Sequence, residues 1–169
     1  MIVTKRTKLK EVERYLTDDN FNRMLDGVDE VQIKKDVWSL SCGEFIRILN
    51  EDSDFIERKV IGRSRYAFEW FGRYKTYKAQ MDAVSTYLRM NETKPTEEEK
   101  MAMQGVKFPT LQEQIMLEVQ SRFGLKSFDD VADVPLSQYL LIVKDKSANL
   151  KFEKNLNKIY DRKRKEKSK

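Results

Sequence analysis

The 169-residue chain is 40% hydrophobic and 36% charged with only six glycines and three prolines, a balance that suits a helix-rich domain with a buried core and disfavours an all-β one. One cysteine rules out an intramolecular disulfide and a cysteine-built metal site; no run nears the ~20 apolar residues of a membrane span, and Met1–Lys10 lacks a signal-like apolar stretch, so a soluble protein of a reducing cytoplasm is expected. The net charge of +5 is concentrated in Asp161–Lys169, which carries +4, so residues 1–160 hold only +1 and the overall balance does not by itself call for a polyanion.

Lys8–Leu25 reads as one or two short helices, with Val12, Tyr15 and Leu16 on one face and Phe21, Met24 and Leu25 on the next. Asp18 and Asp19 suit the cap between them, and Gly27 the end. Residues 28–40 alternate weakly through Val31, Ile33, Val37, Trp38 and Leu40, which leaves room for a short strand or extended linker. Ser41 and Glu44 precede Phe45, Ile46, Ile48 and Leu49 at the spacing of a reciprocal capping pair, predicting a helix to about Asn50. Ser53 is placed to start another through Phe55, Ile56, Val60 and Ile61.

The clearest periodicity follows. Trp70, Tyr74, Tyr77, Met81, Val84 and Leu88 are spaced 4, 3, 4, 3 and 4 apart, an apolar seam that predicts one helix over about Ser64–Met90. Its length at the standard rise is roughly 40 Å. Gly62 marks a break before it, and Gly72 within it a point of close packing. Asn91–Pro95 is polar and Pro95 disfavours helix at Lys94, an internal boundary.

Thr96 with Glu99, Thr110 with Glu113 and Ser127 with Asp130 repeat the helix-start pattern. The helices they start should stop at Gly105, at Gly124 and near Pro135, with Phe108 and Pro109 extended between the first two. Beyond Leu136 there is neither Gly nor Pro, and Leu140, Val143, Leu150, Phe152, Leu156 and Ile159 carry a helical pattern into the basic end. The expected fold is all-α: a helical bundle with one long central helix and a long C-terminal helix, residues 1–160 forming one domain and 161–169 a basic tail.

The chain has no histidine, which removes the commonest general base and metal ligand together. Cys42 near a helix start has no imidazole partner and reads as an incidental buried thiol. Asn50, Asp52 and Asp54 imitate the opening of a calcium loop, but Phe55 and Ile61 stand where that loop needs Gly and Glu. Glu97, Glu98 and Glu99 suit the positive end of a helix dipole. No phosphate-binding glycine loop is present, so no catalytic residue, metal site or cofactor is expected, and the chain reads as a non-enzyme.

Two readings of the basic residues compete. Arg58, Lys59, Arg63, Arg65, Arg73, Lys75 and Lys78 face a single acidic residue, Glu69, in the same stretch and interleave with Tyr66, Phe68, Trp70, Phe71, Tyr74 and Tyr77. With Arg162, Lys163, Arg164 and Lys165 of the tail they compose a candidate polyanion-binding set for sequence-tolerant nucleic-acid recognition. Against this, the aromatics belong to the seam, and residues 17–57 hold eleven acidic side chains against four basic ones, an internal or intermolecular counter-surface. Protein binding or self-association through the seam Trp70, Tyr74, Tyr77, Met81, Val84 and Leu88, as core or interface, is the preferred reading. A helix-turn-helix over Leu111–Tyr139 is disfavoured because its reading helix would open with Asp129, Asp130 and Asp133.

The run Leu40-Ser41-Cys42-Gly43-Glu44-Phe45-Ile46, the block Phe123-Gly124-Leu125 followed by Ser127-Phe128-Asp129-Asp130, and the lysine-rich helical end resemble small helical proteins of tailed-phage structural gene clusters, of the tail-assembly-chaperone or connector type. The resemblance implies a particle component or assembly factor with self or other particle proteins as partners, acting in the host cytoplasm or the assembled virion, and it carries over no catalytic residue.

Overall fold

The computed structural model describes residues 7–12, 17–92 and 94–167. Tyr15 and Leu16, expected on a helix face, lie outside the described residues, as does Lys169 of the basic end. The fold is all-α. Helices α1 (Leu9–Val12), α2 (Asp18–Asp26) and α3 (Cys42–Leu49) are followed by α4 (Ser53–Phe55), which passes directly into a π-helical stretch, Ile56–Ile61. The long α5 (Ala67–Asn91), short α6 (Glu97–Ala102), α7 (Leu111–Phe123), short α8 (Phe128–Ala132) and α9 (Leu136–Lys167) complete the order. Residues 28–36 are an extended connector that ends in a single 3-10 turn, Val37–Ser39, and no strand forms among the described residues.

Local chemistry sets most of these boundaries. In α3, α6, α7 and α8 the cap side chain accepts from the N3 amide while the N3 carboxylate accepts from the cap amide, in the pairs Ser41 and Glu44, Thr96 and Glu99, Thr110 and Glu113, Ser127 and Asp130. Two expected caps differ. Thr17, not Asp18 or Asp19, caps α2 by accepting from Asn20, and the two aspartates sit in its first turn where the helix dipole favours them. Asp52, not Ser53, caps α4 through the Phe55 amide, because its carboxylate is also gripped by Arg47 at 2.6 Å.

The core divides into two clusters that α5 spans. The larger gathers Phe45, Ile46 and Ile48 of α3, Val84 of α5, Ile115 and Val119 of α7 and Leu136, Tyr139 and Leu140 of α9 around Val37 and Leu40. The smaller packs Val12, Leu25 and Val28 against Ala67 and Phe71 at the start of α5. Backbone bridges fasten both: the Ala67 amide donates to the Thr7 carbonyl at 2.9 Å, and Cys42 and Leu136 donate to Val134 and Leu40 at 2.7 and 2.8 Å, tying the starts of α3 and α9 together.

The connector of residues 28–36 lies along α5, and Gly72 is why it can. A Cβ at Gly72 would stand 2.6 Å from both the Asp29 carbonyl oxygen and Val31 Cγ2, so only glycine permits the approach. The Val31 amide donates to the Gly72 carbonyl at 3.2 Å and Thr76 Oγ1 to the Val31 carbonyl at 2.9 Å, satisfying a connector that has no sheet to join.

Candidate functional site

The apolar seam of α5 is spent inside the chain. Trp70 stacks on Tyr74 with ring centroids 5.3 Å apart, and Phe21 of α2 meets Tyr74 edge-on at 5.3 Å and Trp70 at 6.5 Å. Tyr77, Met81 and Leu88 pack against the larger cluster, where Val84 is fully buried. Burial, with Tyr74 beside it, pushes the Tyr77 phenol up to about 12, so it stays neutral in this setting. Of the aromatics interleaved with the basic residues, Phe71 is buried, Phe68, Trp70, Tyr74 and Tyr77 are half-buried against the two clusters, and Tyr66 at the helix start is exposed.

Apolar side chains are left uncovered at Met90, Met101, Val106, Phe108 and Leu117, and in a continuous row on α9. Leu136, Tyr139, Leu140, Val143 and Ser147 face the bundle. On the opposite side Leu141, Asp145, Ala148, Phe152, Leu156 and Ile159, spaced 4, 3, 4, 4 and 3, form a second stripe, in which Leu141 is 63% and Phe152 66% exposed. At its near end a groove of about 640 Å³ runs between this helix and the end of α7, lined by Phe123, Leu141, Ile142 and Ala148 with Arg122 and Asp145 at its rim. Leu140, Val143, Leu150, Phe152, Leu156 and Ile159, which carry the helical pattern in the sequence, do not share one face. Their true division into two sides was legible in the spacing, since Leu140 and Phe152 are twelve residues apart and so stand roughly 120° around the axis.

The basic set is divided as well. Arg58, Arg63 and Arg73 meet in one cleft of about 620 Å³, joined by Lys34 from the connector. Lys75 turns away and donates to the Val28 carbonyl at 2.9 Å, while Lys59, Arg65 and Lys78 are exposed and line no part of the cleft. Arg162, Lys163, Arg164 and Lys165 ride on the last turns of α9 and do not line it either. Arg58 pairs with Asp54, and Arg73 Nη2 with Glu69 Oε1 at 2.6 Å, Glu69 Oε2 being held by Ser64 at 2.7 Å. Arg73 Nε is buried without an acceptor, a state that costs about 1–3 kcal/mol.

Three of the eleven acidic residues of 17–57 make ion pairs: Glu44 with Lys35 at 2.6 Å, Asp52 with Arg47, and Asp54 with Arg58 just beyond the segment. Among the described residues no ion pair joins them to α5, so the expected internal match between an acidic N-terminal part and a basic long helix is not made there. Cys42 is fully buried and burial pushes its thiol up to about 11, which leaves almost no thiolate near neutral pH. Among the described residues no three of His, Cys, Asp and Glu gather as a metal site, and no helix is long and apolar enough to cross a membrane.

Compared with known proteins, the chain matches no family model, no curated protein and no solved structure. The structure defines an all-α bundle whose surface includes the outer stripe of α9 and the cationic cleft at Gly62.

Proposed function

We propose that the protein is a non-enzymatic helical assembly protein that works through protein contacts, with the outer stripe of α9 as the contact surface and a second copy of the chain as its first partner. The observation that carries this is the two-sided apolar character of α9. One side completes the bundle, and the other runs on for about 27 Å with Phe152 and Ile159 among exposed neighbours. Among the described residues beyond 148 only Lys154 and Leu156 are more than superficially covered, so this stretch draws little support from the bundle, where most helical stability arises. A partner helix on the stripe would supply the missing packing.

A second copy of the chain brings an identical exposed stripe to the contact, so self-pairing needs no further surface. The role of a phage particle component or assembly factor is the setting we propose for such an oligomer; it rests on the resemblance of the Leu40–Ile46 and Phe123–Asp130 runs.

Light scattering across a concentration series tests the reading. A dimer or larger species should form, and Phe152→Glu with Leu141→Glu should return it to monomer with the thermal melt of the bundle retained. A wild-type chain that stays monomeric at every concentration, or an oligomer indifferent to both changes, would sink it.

A further inference from the structure

We infer that the cleft beside Gly62 is a binding site for a phosphate-type oxyanion. Four cationic side chains reach it from four successive stretches of chain: Lys34 from the connector, Arg58 from the π-helical turn, Arg63 from the link to α5 and Arg73 from α5 itself. No carboxylate lines it. Asp54 and Glu69 neutralise Arg58 and Arg73, but Lys34 is held only by the Arg58 carbonyl at 3.3 Å, and the Arg63 side chain has no partner among the described residues. Two positive charges are thus concentrated in one recess with nothing of opposite sign to meet them, the condition under which an anion is drawn in.

The donors of the cleft are also incompletely used. Arg73 Nη1 makes only a long contact, 3.5 Å, with the Arg63 carbonyl. An oxyanion has several acceptor oxygens for a guanidinium fork and an ammonium at once. The recess is kept open by the backbone: Gly62 has φ +85, and a Cβ there would stand 2.9 Å from Arg73 Nη1 and 3.0 Å from Lys34 Cβ. Any side chain at that position would press into the cationic walls.

The phosphate could belong to a small molecule or to a polynucleotide backbone, and calorimetry with two probes at low salt, sodium pyrophosphate and a twenty-nucleotide oligo-dT, separates them. At least one should bind saturably. The double change Lys34→Gln and Arg63→Gln should weaken that binding about tenfold or more, while Lys59→Gln with Lys78→Gln, equal in charge but outside the cleft, should leave it within about twofold. Should the double variant melt early, the single changes, each expected to weaken binding about threefold, decide in its place. Pyrophosphate binding assigns the small-molecule source, and oligo-dT binding alone assigns the polymer. Binding by neither probe, binding that ignores Lys34 and Arg63, or equal loss in the control pair overturns the inference.

Discussion

At Gly72 two effects of opposite sign compete, and their sizes decide the outcome. Alanine is favoured over glycine inside a helix by about 1 kcal/mol. Its Cβ, however, would lie 2.6 Å from a backbone oxygen of Asp29 and from the Val31 side chain, in a connector that also bonds back to the Gly72 and Thr76 positions. Overpacking of that kind typically costs about 1–3 kcal/mol, and backbone yields less readily than a flexible side chain. Gly72→Ala is therefore expected to lower stability by on the order of 1 kcal/mol, measured as a lower urea midpoint. A rise in that midpoint would show that residues 28–36 can lift off α5 without loss.

The helix starts show which parts of the fold sequence reading can reach. A capping box is complete within four residues, so all four were legible, as were the Gly124 stop of α7 and the uninterrupted run of α9. The caps at Thr17 and Asp52 were misplaced by one residue because neighbouring side chains of equal capping power stood beside them, and only the Arg47 contact singles out Asp52. The π-helical turn has no signature of its own. Lys34 was counted with the acidic segment because its place in the cleft depends on a contact with Arg58, 24 residues on. Likewise the α5 seam announced that it must be buried, but not that α2 and α9 of the same chain would bury it.

The capping carboxylates also make the elements sensitive to acid. Burial alone would raise Glu44, but hydrogen bonds from Lys35 and from the Ser41 amide outweigh it and hold the carboxyl below its ordinary range. Glu99, Glu113 and Asp130 are likewise lowered, the first two chiefly by the backbone amide of their cap residue and Asp130 chiefly by the Ser127 hydroxyl. A carboxyl depressed in the folded state contributes stability that is fully present above its unfolded pKa, about 4.3 for Glu, and lost as pH falls through the lower folded value. Urea midpoints measured from pH 7 downward should hold until near that point and then fall. Glu44→Gln should flatten the acid side of the curve, and Ser41→Ala should cost about 1 kcal/mol at neutral pH. An unchanged acid limb in Glu44→Gln would mean that its pairing with Lys35 and Ser41 is not kept in solution.

At the scale of the whole molecule, one helix serves two cores of unequal size. Among the described residues the cluster at the start of α5 buries five apolar side chains and the larger one sixteen, so the hydrophobic stabilisation of the first is much the smaller. If the clusters open independently, α1, α2 and the first turns of α5 should unfold under conditions that leave the rest intact. The two tryptophans report on one cluster each: Trp70 packs on Phe21, Phe71 and Tyr74, and Trp38 meets Tyr87 edge-on at 6.4 Å beside the larger core. Single-tryptophan variants, Trp38→Phe and Trp70→Phe, should therefore give different urea transitions, with the Trp70 signal lost first. The competing effect is the continuity of α5, whose unbroken hydrogen bonding from Ala67 to Asn91 couples the clusters. Coincident transitions would show that this coupling wins and that the chain unfolds as one cooperative unit. Separate ones would mean that the cationic cleft, whose Arg63 and Arg73 stand where α5 begins, changes shape at a lower cost than the surface of α9.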